Sequence, residues 1–396
     1  KWGENKTPES EGIKGDFFVG SYYVRFAQEV KNNPELEDEA RELLVKWENN
    51  DSEVRAVWEK MRDWCLEGFS ETYKNYELEM DKEYFESETY LDGKQTVIEN
   101  FEKGIFEKNE EGAIVIDLEK EGLGEKVLLR ADGTTIYITQ DIHLAKIRFR
   151  DYSMDRMIYV VGSEQEYHFK VLFEVLKKIG FSFADKCYHL SYGMVNLPDG
   201  KMKSREGTVV DADDFRQNMI DLAKDEVKER YKDLGEEEIN KRAEMIAVGA
   251  VNFFVLKYDA VKDFVYDSKK SLSFTGESGP YVQYAHARIC SIIRKANKDF
   301  SSADLSLLKE DSEKNLISKL GLFKDVVIKS AESYKPSLVA NYLIELAQMF
   351  NSFYHDTQVN VEDEELAKAR LFLIDKVRII LREGLALLNI KAPQEM

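Results

Sequence analysis

Apolar side chains recur every four residues over 18–30, and a second set of apolar positions with helical spacing covers 43–64. The acidic stretch 33–39 separates the two sets. Many of the positions between the apolar ones are Glu or Lys, which is typical of a solvated helix face. The pattern therefore predicts helices over most of 16–75.

The next part of the chain alternates between extended and helical patterns. Strand-like runs cover residues 83–90, 114–129, 136–138, 157–161 and 188–195. Thr139 can cap a helix that has Asp141 in its first turn, and a second amphipathic helix over 169–179 stops at Gly180. The last three runs alternate with these helices, which predicts an α/β fold with a parallel sheet. Ligands of such sheets lie outside the carboxyl ends of the strands.

From Asp213 onward the pattern is almost entirely helical, with breaks over 276–280 and near Pro336. We place a domain boundary near residue 215. Residues 1–215 then form an α/β domain with a helical insertion, and residues 216–396 form an all-α helical bundle.

Composition narrows the class of protein. The net charge of −19 lowers the expectation of a nucleic-acid partner without excluding one, because RNA binding needs only a local basic face. The cysteines, Cys65, Cys187 and Cys290, have neither a disulfide nor a zinc-site spacing, which fits a reducing compartment. Neither an apolar run of membrane length nor a signal peptide is present, so we expect a soluble, intracellular protein.

Residues 197–210 form a glycine-bearing basic segment directly after a strand-like run. Its central residues are Lys201, Met202, Lys203, Ser204 and Arg205. Cations and freed backbone N–H groups in such a loop suit a polyanion such as a phosphate chain. A solvated basic loop between two elements is the alternative that the residues alone leave open.

The order Lys-Met-x-Ser in this loop resembles the KMSKS signature of class I aminoacyl-tRNA synthetases. The longer pattern Lys-Met-x-Ser-Arg-x-Gly-x-Val-Val resembles the arginyl enzymes in particular. Further segments resemble the catalytic half of that family at 84–87, 137–141 and 163–168, and its anticodon-binding domain at 279–288, 350–354 and 369–393. The resemblance covers essentially the whole chain. It implies that 1–215 is the second half of a Rossmann-like class I catalytic domain and 216–396 a helical anticodon-binding domain of the DALR type.

The resemblance also implies an arginine pocket made by Glu86, Tyr137, Asp141 and Gln165. Carboxylates in fork geometry are what selects a guanidinium over an ammonium group. Without the resemblance, Glu86 is better explained as a surface residue and Asp141 as a charge at a helix start.

For ATP, the resemblance implies contacts from Gly162, His168, Met202 and Lys203, although His168 alone could be a half-buried residue at a helix start. Lys201 is the candidate for stabilising the triphosphate as pyrophosphate leaves. Ser204 and Arg205 are assigned to the same catalytic loop. Lys203 stands where the family usually has a small residue, and Glu206 where a lysine is frequent, so the residues do not determine which cation contacts which phosphate.

In the helical half, Tyr281, Tyr284 and Arg288 have i, i+3, i+7 spacing and share one stripe of a helix. The adjoining stripe is apolar and consists of Val282, Ala285, Ile289 and Ile292. Tyrosine rings and guanidinium planes stack on splayed RNA bases, so the first stripe is a candidate tRNA-binding site. Core packing of the tyrosines is an equally good interpretation of the residues alone.

The chain contains no His-Ile-Gly-His type sequence, which the family carries at the start of its nucleotide-binding fold. We therefore expect the chain to lack the amino-terminal portion of the enzyme and to be inactive alone. The resemblance implies arginine–tRNA ligase activity, with arginine, ATP with Mg²⁺, and tRNA-Arg as substrates, in a cytoplasmic monomer. A non-catalytic tRNA-binding or regulatory protein derived from a synthetase is the alternative that the missing signature supports.

Overall fold

The computed structural model describes residues 1–196 and 211–396, apart from the side chains of residues 90 and 91. In the amino-terminal half the helices are α1 (Pro8–Glu11), α2 (Gly15–Glu29), α3 (Glu35–Glu48), α4 (Ser52–Asn75), α5 (Glu86–Glu102), α6 (Tyr137–Asp151) and α7 (Glu166–Ile179). The later helices are α8 (Ala212–Arg230), α9 (Glu236–Leu256), α10 (Ser268–Ser271), α11 (Gly279–Ala296), α12 (Asp311–Gly321), α13 (Phe323–Ser333), α14 (Ser337–Asp356) and α15 (Glu364–Leu387). The strands are β1 (Glu107–Lys108), β2 (Ile114–Leu118), β3 (Gly124–Leu129), β4 (Met157–Gly162), β5 (Cys187–Tyr192), β6 (Val195–Asn196) and β7 (Phe264–Val265).

The amino-terminal helices confirm the periodicity over 16–75. Phe18 of α2 is buried and meets the Trp64 ring of α4 edge-on, at 5.5 Å between centroids. Asp51 caps α4 by accepting the backbone N–H groups of Glu53 and Val54 at 3.1 and 3.0 Å. These contacts place α2 and α4 side by side.

The α/β unit combines an antiparallel sheet, β1-β2-β3, with a parallel pair, β4-β5. The parallel register runs from Met157 opposite Cys187 to Gly162 opposite Tyr192. Helices α5, α6 and α7 cover a shared core in which Val97, Ile142 and Leu172 are fully buried. The predicted strands within 114–129, 157–161 and 188–195 are confirmed, as is the helix stop at Gly180, which has φ +87°.

Two predicted strands are helix starts instead. Residues 83–90 contain the start of α5, where Glu86 and Glu88 lie in the first turn and are favoured by the helix dipole. Residues 136–138 form the start of α6, because the hydroxyl of Thr139 accepts the backbone N–H of Ile136 at 3.2 Å and closes the helix end. Thr139 therefore caps the helix from inside its first turn rather than from before it.

The helical half contains two hydrophobic clusters. The smaller cluster joins α8 and α9 around Met219, Ala243 and Phe254, and the larger joins α11, α14 and α15. The predicted breaks are confirmed: Ser278 caps α11, and Tyr334 to Pro336 separate α13 from α14. Among the described residues, no helix combines the length and the apolar character needed to span a lipid bilayer.

Candidate functional site

The carboxyl ends of β4 and β5 lie together, as the parallel register requires. Gly162 ends β4 and faces the ring of Tyr192 at the end of β5, with 3.7 Å between that ring and the position of a Cβ on the glycine. Gln165 lies three residues after the end of β4 and is the N-cap residue of α7. This edge of the sheet therefore gathers two of the residues predicted for substrate binding, Gly162 and Gln165.

Asp141 and His168 form a hydrogen-bonded pair beside this edge. The Nε2–H of His168 donates to Oδ2 of Asp141 at 2.6 Å, and the two side chains are 20% and 28% exposed, respectively. The other carboxylate oxygen of Asp141 has no hydrogen-bond partner in the part of the chain that the structure describes. One acceptor of Asp141 is thus oriented by His168, while the other can receive a donor from a ligand.

Tyr137 and Asp141 lie on the same face of α6, one turn apart. Tyr137 is the first residue of the helix and is 78% exposed, and Gln165 at the start of α7 is also exposed. Both side chains are therefore accessible to a ligand that reaches Asp141.

Glu86 lies elsewhere. Helices α5 and α6 run antiparallel: Gly93 packs against the backbone of Thr139, whereas Tyr84, just before α5, contacts Arg148 and Asp151. Glu86 is consequently near the carboxyl end of α6. At 1.5 Å per residue, that end lies about 21 Å along the helix axis from Tyr137. The structure places Asp141 and His168 in contact, with Tyr137 one turn before Asp141 on α6 and Gln165 three residues before His168. Glu86 lies toward the other end of α6 from Tyr137.

His189 was not singled out in the sequence. Its Nε2–H donates to the carbonyl of Val161 at 2.9 Å, and its ring lies 4.4 Å from that of Phe169. Phe169 in turn meets the His168 ring edge-on at 5.5 Å. A histidine within a strand-like run was the available signal, but only the parallel pairing of β4 with β5 brings it beside α7.

Tyr159 of β4 supports the same cluster. It is buried, with its ring 4.9 Å from Phe169. Burial raises the pKa of Tyr159 above its usual range, and the negative charge of Asp141 adds to the increase. The phenol therefore stays neutral at physiological pH.

The predicted catalytic loop, with Lys201, Met202, Lys203, Ser204 and Arg205, lies outside the described residues. The segment that follows it is fixed by the helical insertion. Tyr76 donates its hydroxyl to the carbonyl of Ala212 at 2.7 Å, and Lys14 forms a 2.5 Å ion pair with Asp213. Burial also raises the pKa of Asp211 at the same helix start. These contacts fix the start of α8 immediately after the basic segment.

Two of the predicted tRNA-binding residues, Tyr284 and Arg288, line one cleft of about 520 Å³. The Arg288 guanidinium is 4.6 Å from the centroid of the Tyr284 ring, and its Nη1 donates to the side-chain oxygen of Asn351 at 2.9 Å. The Asn351 amide also donates to the hydroxyl of Tyr281 at 2.9 Å. A single asparagine therefore orients both Arg288 and Tyr281, and further cations at the cleft come from Arg242, Arg294 and Lys295.

The two tyrosines differ in their packing. Tyr281 packs against the main core, next to the fully buried Val282 and Ile289, whereas Tyr284 lines the cleft and meets Phe274 edge-on at 6.4 Å. Core packing is thus a fair description of Tyr281, and Tyr284 is the better candidate for base stacking. In the described part of the chain, no group of three or more His, Cys, Asp or Glu residues is placed to hold a metal.

Comparison with known proteins identifies two domains in the chain. The family model for the catalytic domain of class I (R) tRNA synthetases matches residues 4–268, and that for the DALR anticodon binding domain matches 282–396. The parallel strand pair followed by a helical DALR domain thus defines a class I aminoacyl-tRNA synthetase. Within that class, the chain belongs to the arginyl-tRNA synthetase family.

Individual relatives show how far the similarity extends. The chain is 44% identical to an arginine–tRNA ligase of Parabacteroides distasonis, over 100% of the chain and 70% of that protein. It is 48% identical to the corresponding ligase of Treponema denticola, over 98% of the chain and 68% of the relative. Among solved structures, Thermus thermophilus arginyl-tRNA synthetase aligns with a TM-score of 0.78 and 25% identity, covering 94% of this chain and 73% of that one.

Proposed function

We propose that the chain recognises arginine and tRNA-Arg for an arginine–tRNA ligase, which activates arginine with ATP and transfers it to the tRNA. The observation that carries this proposal is the position of Asp141. Its carboxylate is oriented by His168, keeps one acceptor available, and lies one turn from the exposed Tyr137 beside the carboxyl end of β4. Membership of the arginyl-tRNA synthetase family supports the same assignment.

Arginine is selected in this proposal by the geometry of its guanidinium group. The available oxygen of Asp141 accepts one N–H of the fork, and the Tyr137 hydroxyl and the Gln165 amide oxygen are candidates for the others. A lysine ammonium group lacks the planar fork of donors that matches such a set of acceptors. Glu86 is the weakest member of the predicted pocket, because its helix end lies away from Tyr137.

The reaction itself consists of two displacements. The arginine carboxylate attacks the α-phosphate of ATP and forms arginyl-adenylate as pyrophosphate leaves; a terminal ribose hydroxyl of the tRNA then takes the arginyl group and AMP leaves. Lys201, with Ser204 and Arg205, supplies charge stabilisation for the departing pyrophosphate, and Met202, Lys203, Gly162 and His168 remain candidate ATP contacts. Mg²⁺ would bind together with ATP, at its phosphate groups.

We further propose that the 396-residue chain does not catalyse the first step by itself, because it contains no His-Ile-Gly-His type sequence. We also propose that the protein is cytoplasmic and monomeric and that its macromolecular partner is tRNA-Arg.

Two assays on the purified chain test these statements. Filter binding with an unmodified tRNA-Arg transcript should show specific binding, and a tRNA-Lys transcript at equal concentration should bind more weakly. ATP–pyrophosphate exchange with arginine and tRNA-Arg should stay at background. Equal binding of both transcripts would contradict tRNA-Arg recognition, and strong exchange that Lys201→Ala abolishes would contradict the proposed dependence on the absent signature.

A further inference from the structure

The turn between α13 and α14 connects the helical domain to the α/β unit through two adjacent side chains. The Tyr334 ring stacks on Tyr188 of β5 at 4.7 Å between centroids, and its hydroxyl accepts a hydrogen bond from Nη1 of Arg156 at 2.7 Å. The ammonium group of Lys335 lies 2.8 Å from Oδ2 of Asp259. Because these contacts reach two separate segments, they fix both the position and the orientation of the turn.

Tyr334 has a left-handed backbone conformation, with φ +54°, which is unfavourable for a side chain as large as tyrosine. The turn holds this conformation through Ser330, whose hydroxyl donates to the carbonyl of Lys335 at 2.8 Å and whose carbonyl accepts the Lys335 N–H at 2.9 Å. Glycine would fit the backbone with less strain. The tyrosine is therefore best explained by what its ring contacts.

The segment between α9 and β7 continues this connection. Directly after Asp259, the carbonyl of Ala260 accepts the N–H of Gly193 at 2.7 Å, and the carboxylate of Asp263 accepts the N–H of Met194 at 2.6 Å. A Cβ at Gly193 would lie 2.5 Å from the carbonyl carbon of Lys262, so only glycine allows this approach. The residues between β5 and β6 are thus held by the segment that Lys335 contacts.

Helix α14 links the turn to the tRNA-binding cleft. It begins at Ser337, directly after the turn, and carries Asn351, which bonds both Arg288 and Tyr281. The distance along the helix from Ser337 to Asn351 is about 21 Å. Because the intervening apolar residues are buried in the main core, the helix can move only as a rigid body.

We propose that Tyr334 and Lys335 are positioning residues that couple occupation of the tRNA-binding cleft to the order of β5 and β6, the strands that precede the basic segment 197–210. This coupling rests on the proposed tRNA binding. A change at Asn351 displaces α14, α14 displaces the turn, and the turn acts on β5 through Tyr188 and on the Gly193–Met194 link through Asp259.

Hydrogen exchange followed by mass spectrometry tests the contact in the free, full-length chain. Tyr334→Gly keeps the left-handed backbone but removes the ring, and it should speed exchange of the Gly193 and Met194 amides by about threefold or more. Tyr334→Phe, which loses only the bond to Arg156, should give a smaller increase. Asn297→Gly is the matched control, because Asn297 ends α11 with φ +46° and its backbone N–H bonds only within the helix.

Repeating the measurement with the tRNA-Arg transcript tests the coupling. Wild-type chain should exchange the same amides about twofold or more slowly when the transcript is bound, whereas Tyr334→Gly should bind with similar affinity and lose that protection. The inference would be overturned if the Gly193 and Met194 amides exchange at the same rate in Tyr334→Gly as in Asn297→Gly. It would also be overturned if Tyr334→Gly keeps the protection that tRNA induces. Binding without protection in the wild type would overturn this inference alone, and a chain that fails to bind would overturn it together with the proposed function.

Discussion

The helical domain and the α/β unit each contain a carboxylate that is at least partly buried, and the two carboxylates differ in how many of their oxygens are hydrogen-bonded. In the helical domain Glu313 is fully buried and both oxygens are bonded, Oε1 to Nε of Arg370 at 2.7 Å and Oε2 to the backbone N–H of Glu310 at 2.9 Å. In the α/β unit, Asp141 is 28% exposed and shares only one oxygen, with His168. A carboxylate with all acceptors occupied stabilises a fold, whereas one with an available acceptor can serve a ligand.

The helical insertion shows an intermediate case. Lys14 is paired with both Asp16 and Asp213, yet each of these carboxylates keeps one buried oxygen without a hydrogen-bond partner in the described part of the chain. Because Asp213 lies in the first turn of α8, this incompletely satisfied cluster is close in sequence to the basic segment. The comparison therefore separates a carboxylate whose oxygens are both bonded from carboxylates that keep one oxygen without a partner in the described part of the chain.

The largest effect on stability should come from breaking the Glu313–Arg370 ion pair, in which both carboxylate oxygens of Glu313 are bonded. Arg370→Ala leaves the buried Glu313 carboxylate without its cation and should lower the free energy of unfolding by about 3–5 kcal/mol, measured by urea denaturation. Arg382→Ala removes a pair whose side chains are about half exposed, and should change stability by less than about 1 kcal/mol. Similar losses of stability in both variants would contradict the difference between a buried, fully bonded ion pair and an exposed one.

Substitution of Asp141, whose carboxylate has only one bonded oxygen, should instead affect function. Asp141→Asn removes the charged acceptor for the guanidinium and should lower the specificity constant for arginine by the equivalent of about 2–4 kcal/mol, with less effect on ATP. The measurement is ATP–pyrophosphate exchange in a fusion of this chain with a segment that carries a His-Ile-Gly-His type sequence. An unchanged specificity constant for arginine would remove Asp141 from the pocket.

Glu86→Gln is the matched carboxylate control in that assay. Because Glu86 lies toward the other end of α6, this variant should lose less arginine specificity than Asp141→Asn. A loss as large as that of Asp141→Asn would mean that the start of α5 moves against the pocket when arginine binds.

A substitution in the tRNA-binding cleft should have a smaller effect, on tRNA affinity, which can be measured separately from an effect on stability. Tyr284→Ala should weaken binding of the tRNA-Arg transcript by about 1–3 kcal/mol if a base stacks on the ring. Its stability should fall less than that of Ile289→Ala, which removes a fully buried side chain at a cost of about 2–5 kcal/mol. Unfolding by Tyr284→Ala with tRNA affinity retained would assign this tyrosine to the core.

Salt dependence sharpens the same measurement. The chain has a net charge of −19, so binding should depend on stacking and on the local cations of the cleft. The affinity should therefore fall less steeply with salt concentration than that of a strongly basic protein. A steep slope would indicate many phosphate contacts outside the cleft.

The smallest expected effect concerns Asp151 at the end of α6. Hydrogen bonds from Lys82 and then Arg150 lower the pKa of its carboxyl to about 2. A lowered folded-state pKa contributes stability above the unfolded-state value, near 4, and that contribution is lost as the pH falls toward 2. Asp151→Asn should therefore lower the melting temperature at pH 7, and the difference from wild type should shrink below pH 4. A constant difference between pH 7 and pH 3 would contradict the ionic origin.

The sequence predicted the parts of the fold that local patterns determine. The periodic helices over 16–75, the β4–α7–β5 succession and the stop at Gly180 are confirmed because burial pattern and turn residues agree there. The starts of α5 and α6 were predicted as strands because short apolar runs do not distinguish the two structures. What decides α6 is the hydroxyl of Thr139, which closes the helix from inside its first turn.

The candidate site was predictable only through residues adjacent in sequence. Tyr137 and Asp141 are four residues apart, and their shared face follows from helix geometry. The pairing of Asp141 with His168, the approach of His189 and the separation of Glu86 from Tyr137 depend on how α5, α6, α7 and β5 pack. No spacing within a single segment encodes such packing.

The position of Phe169 between two imidazoles gives the protein an internal spectroscopic reporter. The chain has five histidines, and only His168 and His189 among them have ring contacts with this phenylalanine. The His189 ring lies tilted over Phe169 by 30°, whereas the His168 ring stands at 87° to it, so the aromatic ring current shifts their carbon-bound protons differently. Two resolved imidazole signals in a proton NMR spectrum can therefore follow what happens beside Asp141 without any added label.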